Sequence, residues 1–177
     1  PPAVFRLPAL EHLYFCDNAA TNLPVDFAQV PRLTYLNLDR TPLEVLPDSV
    51  GALTRLRWLR LNHTRLAALP ESVAELAALE RLYLRNARLQ EIPAAIGRLT
   101  RLEDLSLSGN PVSAVPDAIA TLARLRNLDL ADTRVAALPA DLSQLGALRV
   151  LSLARCPIPD PEKARIRQAL PACHVAF

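Results

Sequence analysis

A period of 23 residues runs through the sequence and constrains its fold more than any other feature. A leucine opens each unit, and two further apolar residues follow it three and five positions later. The opening leucines are Leu10, Leu33, Leu56, Leu79, Leu102, Leu125 and Leu148. A fixed period of about 20 to 50 residues is typical of a solenoid, in which each unit packs against its neighbours. The chain is therefore predicted to be a stack of similar units.

Each unit changes its apolar spacing half-way along. The first half reads L-x-x-L-x-L, as in residues 56–61, and indicates a short strand. The second half places apolar residues at about every third position, as in residues 66–76, and indicates a helical or 3₁₀ segment. A recurrent proline is predicted to occupy the first helical residue, where its missing N–H costs nothing. These prolines are Pro24, Pro47, Pro70, Pro93, Pro116 and Pro139.

The unit resembles the leucine-rich repeat, whose pattern L-x-x-L-x-L-x-x-N/C-x-L the chain follows seven times. The resemblance implies an α/β repeat solenoid, a right-handed horseshoe with a parallel sheet on the concave face and short helical or 3₁₀ segments on the convex face. We expect one domain over residues 1–177, in which residues 1–9 end a preceding repeat. Residues 10–158 then hold about seven repeats, and residues 159–177 form a C-terminal cap of one helix and one strand. The phase of residues 1–9 favours a fragment of a larger protein.

Two columns of the repeat are interpreted as structural. The ninth position, usually Asn in the family, holds Ala87 in the fourth repeat, where we expect a weaker hydrogen-bond ladder or a water. A position in the helical half never exceeds serine in size, so a larger side chain is expected to destabilise it by about 1 to 3 kcal/mol. The ninth position holds Asn18, Thr41, Thr64, Ala87, Asn110, Thr133 and Cys156, and the small column holds Ala28, Gly51, Ala74, Gly97, Ala120 and Ser143.

The residues between the inward leucines of each strand are predicted to point outward, onto the concave face. The only tryptophan and all three tyrosines occupy such positions in the first four repeats. Trp, Tyr and Arg are enriched at binding hot spots because they bury a large area at low entropic cost. We therefore predict a partner-binding site made of Tyr14, Tyr35, Trp58, Arg60, Arg81, Tyr83 and Arg85. The alternative is that aromatic residues simply suit strand positions.

Towards the C-terminus the same face becomes small and acidic. This part consists of Asp104, Ser106, Ser108, Asp129 and Asp132. An aromatic and basic half followed by an acidic half would fix the direction of a bound partner. An ordinary solvated strand face is the alternative.

Composition and motifs argue against several function classes. A net charge of +2 provides no strong field for nucleic acid or an anionic membrane, and no apolar run is long enough for a membrane span. The sequence contains no familiar catalytic motif, and its histidines are dispersed, so we predict no enzyme activity, cofactor or metal for this domain. Three widely spaced cysteines suit a reducing, cytoplasmic compartment. The histidines are His12, His63 and His174, and the cysteines are Cys16, Cys156 and Cys173.

The 23-residue L-x-x-L-P unit is similar to the repeats of cytosolic signalling scaffolds and to those of type III secreted effectors of plant-pathogenic bacteria. The ending "LPACHVAF" resembles the closing strand of some effector domains. In several such effectors a separate domain is an E3 ubiquitin ligase, and the repeats select its substrate or restrain it. The resemblance implies a monomeric module that binds a host protein after secretion into the host cell, with any catalytic cysteine outside this chain. The alternatives are a cytosolic signalling scaffold and a structural or regulatory scaffold docked on another domain of its own chain.

Overall fold

The computed structural model describes residues 2–177, and its strands follow the repeat. Eight strands of three residues form one parallel sheet in chain order, from β1 to β8. They are β1 (His12–Tyr14), β2 (Tyr35–Asn37), β3 (Trp58–Arg60), β4 (Arg81–Tyr83), β5 (Asp104–Ser106), β6 (Asn127–Asp129), β7 (Val150–Ser152) and β8 (His174–Ala176). The predicted fold class, a leucine-rich repeat solenoid, is confirmed.

The register of the sheet equals the sequence period. Leu36 pairs with Leu59, and Leu59 pairs with Leu82, so each strand lies one repeat of 23 residues from the next. The last pairing differs, because Leu151 pairs with Val175. The inserted cap helix α1 (Asp160–Ala169) lies between these two strands. The helix and strand predicted at the C-terminal end of the chain are therefore both present.

Short 3₁₀ segments form the side of the solenoid opposite the sheet. They span Pro2–Arg6, Phe27–Gln29, Asp48–Ala52, Glu71–Glu75, Ala94–Arg98 and Asp117–Thr121. The prediction that a proline occupies the first helical residue was wrong by one position in four of these segments. Pro47, for example, has φ −61° and ψ 143° and precedes its segment. Its fixed φ is compatible with an extended ψ, and its carbonyl accepts the first 3₁₀ hydrogen bond, from Val50 N at 2.9 Å.

The cap helix forms hydrogen bonds with the last repeat. Residues 139–147 of that repeat form turns and no 3₁₀ helix. Glu162 accepts a hydrogen bond from Leu138 N at 3.0 Å, and Arg165 donates to the Leu138 and Pro139 carbonyls at 3.0 and 3.1 Å. The two side chains also pair with each other at 2.7 Å. This pairing lowers the pKa of Glu162 below its ordinary value. One ion pair thus satisfies backbone groups that have no helical partner in this repeat.

The leucine columns form a continuous core along the solenoid. The strand leucines, such as Leu36, Leu59 and Leu82, are completely buried. At the N-terminal end the leucine ladder gives way to phenylalanines, because Phe15 takes a leucine position. Phe5 packs edge-to-face on Phe15 and Phe27, with ring centroids 5.8 and 5.7 Å apart. This cluster covers the end of the core in the described residues.

The side chain at the ninth position of the repeat stabilises the turn that follows the strand. Thr41, Thr64 and Thr133 each donate to the carbonyl three residues earlier, at distances of 2.6 to 2.9 Å. Each of these threonines is buried. Threonine therefore replaces the donor function of asparagine at this position.

Ala87 lacks such a side chain, yet its turn is fully supported by the next repeat. Asn110 accepts hydrogen bonds from Ala87 N at 3.0 Å and Leu89 N at 2.9 Å. It also donates to the carbonyls of Leu84 and Leu107, both at 2.7 Å. The expectation of a weaker ladder or a water at Ala87 was therefore wrong, because one asparagine serves two repeats.

The small column marks a close approach between neighbouring 3₁₀ segments. A Cβ atom added to Gly97 would lie 2.8 Å from Ala118 Cβ and 2.9 Å from its carbonyl oxygen. At Gly51 it would lie 2.8 Å from the carbonyl oxygen of Ser72. The structural interpretation of this column agrees with these distances, because a larger residue would have to displace backbone.

Candidate functional site

The aromatic residues of the first three strands form one continuous stack on the concave face. The sheet register places Tyr35 beside Trp58 and Trp58 beside Arg81. Ring centroids lie 4.8 Å apart for Tyr14 and Tyr35, and 5.8 Å apart for Tyr35 and Trp58. The guanidinium carbon of Arg81 lies 4.3 Å from the Trp58 ring centroid, which is cation–π geometry. We call these four residues the aromatic stack.

A second group lies beside the stack and is organised around a buried carboxylate. Asp39 is 2% exposed and pairs with Arg60 at 2.7 Å, and it also accepts a hydrogen bond from Asn62 N at 2.8 Å. Burial alone would lower the pKa of the Arg60 guanidinium, but the hydrogen bond and charge of Asp39 prevail and raise it. Arg60 also lies over the Tyr83 ring, 5.6 Å from its centroid. Arg60 is thus held in place as a permanent cation.

Tyr83 presents a phenol that stays protonated over a wide pH range. Burial is the main reason that its pKa is raised, and the charge of Asp104 adds to the effect. The hydroxyl therefore remains a hydrogen-bond donor at neutral pH. Arg85 lies further along the same repeat, where its backbone N–H donates to Asn62 Oδ1 at 2.8 Å and its side chain is exposed. Six of the seven predicted residues are thus joined by direct contacts into two groups, and Arg85 stands at their edge.

The predicted acidic half is mostly engaged in internal contacts. Asp104 pairs with Arg81 at 3.1 Å and accepts a hydrogen bond from Asn127, and Asp132 is paired with Arg155. Asp129 accepts from Ser106 Oγ at 3.2 Å and has no ion pair within the described residues. The face is therefore not divided into a basic and an acidic half as predicted, because cross-strand pairs neutralise most of its charges.

Two shallow grooves follow from this arrangement. The first has a volume of about 370 Å³ and is bounded by the aromatic stack together with His12, Arg57 and Glu80. The second, of about 460 Å³, lies between Tyr83 and Arg85 on one side and Asp104 and Asp129 on the other. Both are open to solvent, so they suit the side chains of a partner better than an enclosed small molecule.

One feature of the concave edge was absent from the sequence prediction. The residue that follows each outward triplet has a left-handed backbone, with φ between 52° and 71°. Six of the seven are not glycine: Asp17, Arg40, His63, Asn86, Gly109, Asp132 and Arg155. Two ion pairs form along this column, one between Arg40 and Asp17 at 2.5 Å. The recurrent Asp, Asn and His at one position of the period were a signal for this conformation.

The described residues contain neither a metal cluster nor a membrane-spanning helix. Between residues 2 and 177, no three His, Cys, Asp or Glu side chains come together as a metal site would require. In the same part of the chain, no helix has the length and apolar character needed to cross a bilayer.

The repeat sequence matches a model of a known protein family. A family model described as "Leucine-rich repeat region" matches residues 12–110, which is more than half of the chain. The chain belongs to the leucine-rich repeat family. Domains of this fold commonly act as protein–protein interaction modules, and they are generally not enzymes. A comparison with curated proteins gives no significant match.

Solved structures of leucine-rich repeat proteins resemble the whole solenoid. The Leptospira interrogans leucine-rich repeat protein LIC12759 is 30% identical, with a TM-score of 0.77 over 100% of this chain and 51% of its own. A structure described as a TDR receptor is 30% identical, with a TM-score of 0.76 over 86% of this chain and 27% of its own. The LRR ectodomain of the plant receptor kinase GASSHO1/SCHENGEN3 from Arabidopsis thaliana, in complex with CASPARIAN STRIP INTEGRITY FACTOR 2, is 24% identical. Its TM-score is 0.63 over 87% of this chain and 22% of its own, which shows a common fold. The chain spans about half the length of the first protein and about a quarter of the two receptors.

Proposed function

We propose that this chain binds a partner protein on its concave strand face. The observation that carries the proposal is the aromatic stack, a run of three aromatic rings and one guanidinium across four neighbouring strands. Tyr14 at its end is 68% exposed, which is uncommon for so large a ring on a solvated sheet. Stacked aromatic residues with an arginine at the end are the side chains that dominate the energy of protein interfaces.

The site residues have distinct roles in this proposal. Tyr14, Tyr35 and Trp58 supply apolar area, and Tyr83 supplies a hydroxyl donor. Arg60 and Arg81 are held by carboxylates and by ring faces, so little side-chain entropy is lost when a partner binds. A pre-organised site of this kind gives affinity without a rearrangement of the backbone.

The proposal is tested by affinity capture from cell lysate with three forms of the chain. These are the wild type, a concave variant (Tyr35→Ala, Trp58→Ala, Tyr83→Ala) and a control variant (Val45→Ala, Glu71→Ala, Gln144→Ala). The control changes three exposed side chains away from the strands. The same protein captured by wild type and control, lost with the concave variant, and binding again in purified form would support the proposal. Equal capture by the concave variant, with unchanged circular dichroism, would overturn it.

A narrower form of the proposal follows from the resemblance to type III effectors. In this form the chain is the target-recognition part of a bacterial effector, and an E3 ubiquitin ligase domain lies elsewhere in the protein. Its support is the 23-residue L-x-x-L-P unit and the closing segment "LPACHVAF". A captured host protein that is ubiquitinated only in the presence of the full-length effector would support it. Binding solely to another segment of the same polypeptide would contradict it and would indicate an internal regulatory dock.

A further inference from the structure

A charged surface lies beside the concave face, where the chain leaves each strand and turns towards the convex side. We call it the basic rim, and it consists of Arg65, Arg85, Arg88 and Arg134. All four side chains are exposed. Three of them share one column of the repeat, in which other repeats carry Pro42, Pro111 and Pro157. The rim runs along repeats three to six and borders the second groove through Arg85.

The basic rim takes no part in the ion pairs of the described residues. Three aspartates near the ends of the strands are paired with arginines outside the rim. Those pairs are Asp17 with Arg40, Asp39 with Arg60, and Asp132 with Arg155. Within residues 2–177, no rim arginine makes an ion pair or a side-chain hydrogen bond. The chain has 20 basic and 18 acidic residues, so the four rim cations exceed its net charge of +2.

The repeat backbone holds the rim arginines near one another, although their like charges repel. Arg65 and Arg88 lie on adjacent repeats, whose strands are about 4.8 Å apart. Arg88 has φ 71°, in the left-handed region that residues other than glycine rarely adopt. Arg85 also lies near Asp132, where its charge adds to the larger effect of Arg155 in lowering the pKa of that carboxyl. Like charges held together in this way are stabilised when an anionic group binds between them.

We infer that the basic rim binds a short acidic segment of a protein, rich in Asp or Glu. In the proposed function this segment belongs to the partner that covers the aromatic stack, and in that respect the inference rests on the proposal above. Arginine forms paired hydrogen bonds with carboxylates, which suits side chains of this kind. The second groove reaches the rim at Arg85.

A nucleic acid is less well matched to the same surface. A uniform polyanion that crossed the concave face would meet the carboxylate of Asp129, which has no ion pair within the described residues. Arg81 already covers one face of the Trp58 ring, so that face is not free to stack on a base. An acidic protein segment confined to the rim avoids both conflicts.

The test measures binding of a fluorescein-labelled decaglutamate peptide to the 177-residue chain by fluorescence anisotropy, at low and high NaCl. The rim variant carries Arg65→Gln, Arg85→Gln, Arg88→Gln and Arg134→Gln. The matched control carries Arg32→Gln, Arg55→Gln, Arg101→Gln and Arg124→Gln, four exposed arginines just before the strands that also have no ion pair within residues 2–177. Both variants have the same net charge. A labelled oligothymidylate of about ten nucleotides is the comparison probe.

We expect the rim variant to bind decaglutamate about tenfold more weakly than the wild type, and the control to stay within about twofold. The affinity should fall as NaCl rises. Equal losses in both variants would overturn the inference, because net charge alone would explain binding. Tighter, rim-dependent binding of the oligothymidylate would also overturn it. The concave variant should bind decaglutamate like the wild type, so failure of the aromatic site and failure of the rim are separate results.

Discussion

Replacing Asn110 by alanine should destabilise the solenoid far more than removing any buried threonine of the same column. Asn110 is 2% exposed and makes four hydrogen bonds of 2.7 to 3.0 Å with the backbone of two repeats. Its removal leaves two N–H groups and two carbonyls without their partner. Each orphaned buried group costs about 1 kcal/mol or more, so we expect a loss of about 3 to 5 kcal/mol in the free energy of unfolding.

Thr64 provides the matched comparison. It is 3% exposed, and its hydroxyl makes one hydrogen bond, to Leu61 O at 2.9 Å. Thr64→Ala should therefore cost about 1 kcal/mol. Asn18 carries the same amide as Asn110 but is exposed, and its two carbonyl contacts can be replaced by water. Asn18→Ala should cost less than about 1 kcal/mol.

The assay is equilibrium unfolding in urea, followed by far-UV circular dichroism and by the fluorescence of Trp58. Coincident transitions are needed before the free energies are compared, because a repeat protein can lose two-state behaviour. If Asn110→Ala unfolds within about 1 kcal/mol of Thr64→Ala, then the number of backbone groups served does not set the cost, and the reasoning fails.

Three further predictions concern packing, a buried hydroxyl and pH. Gly97→Val should lower the free energy of unfolding by about 1 to 3 kcal/mol, because its Cβ would meet Ala118 at 2.8 Å; an unchanged urea midpoint would show that the neighbouring segment moves freely. Ser72→Ala should raise the urea midpoint by an amount corresponding to about 1 kcal/mol, because Ser72 Oγ is buried without a hydrogen-bond partner; a lower midpoint would reveal a contact that the structure lacks. Wild type should have a higher Tm than Glu162→Gln at neutral pH, because the Arg165 hydrogen bond lowers the folded-state pKa of Glu162. That advantage is present above the unfolded pKa of about 4.3 and is lost as the pH falls through the folded pKa, so a Tm difference that stayed constant as the pH was lowered through the acid range would contradict it.

Most of the fold could be predicted because it depends on positions that recur in the sequence. The strand leucines fix which residues point inward, and the period fixes the register. These two facts place Tyr35, Trp58 and Arg81 side by side before any coordinates are known. The closing helix and strand could also be predicted, because the apolar pattern changes after Ile158.

The contacts that the sequence did not reveal all join different repeats. Asn110 supports the turn of Ala87, one repeat earlier, and Arg60 reaches diagonally to Asp39. Such contacts depend on the conformation of each side chain and on which residue of the adjacent repeat lacks a hydrogen-bond partner. Aligning the repeats of the sequence reveals neither. The prediction of an acidic half missed the ion pair between Arg81 and Asp104 for the same reason, because it joins two repeats.

The uniform register also has a consequence for how this protein can evolve. Loss of one unit, residues 79–101, by recombination between repeats would join Ala78 to Leu102 and leave every leucine in its column. The shortened chain would still close its ladder, but Trp58 would become the neighbour of Asp104, and the fourth-repeat residues of the concave face would disappear. A single genetic event could thus remove one of the eight strands of the concave surface while the architecture is inherited unchanged, and under the proposed function it would change which partner the chain binds.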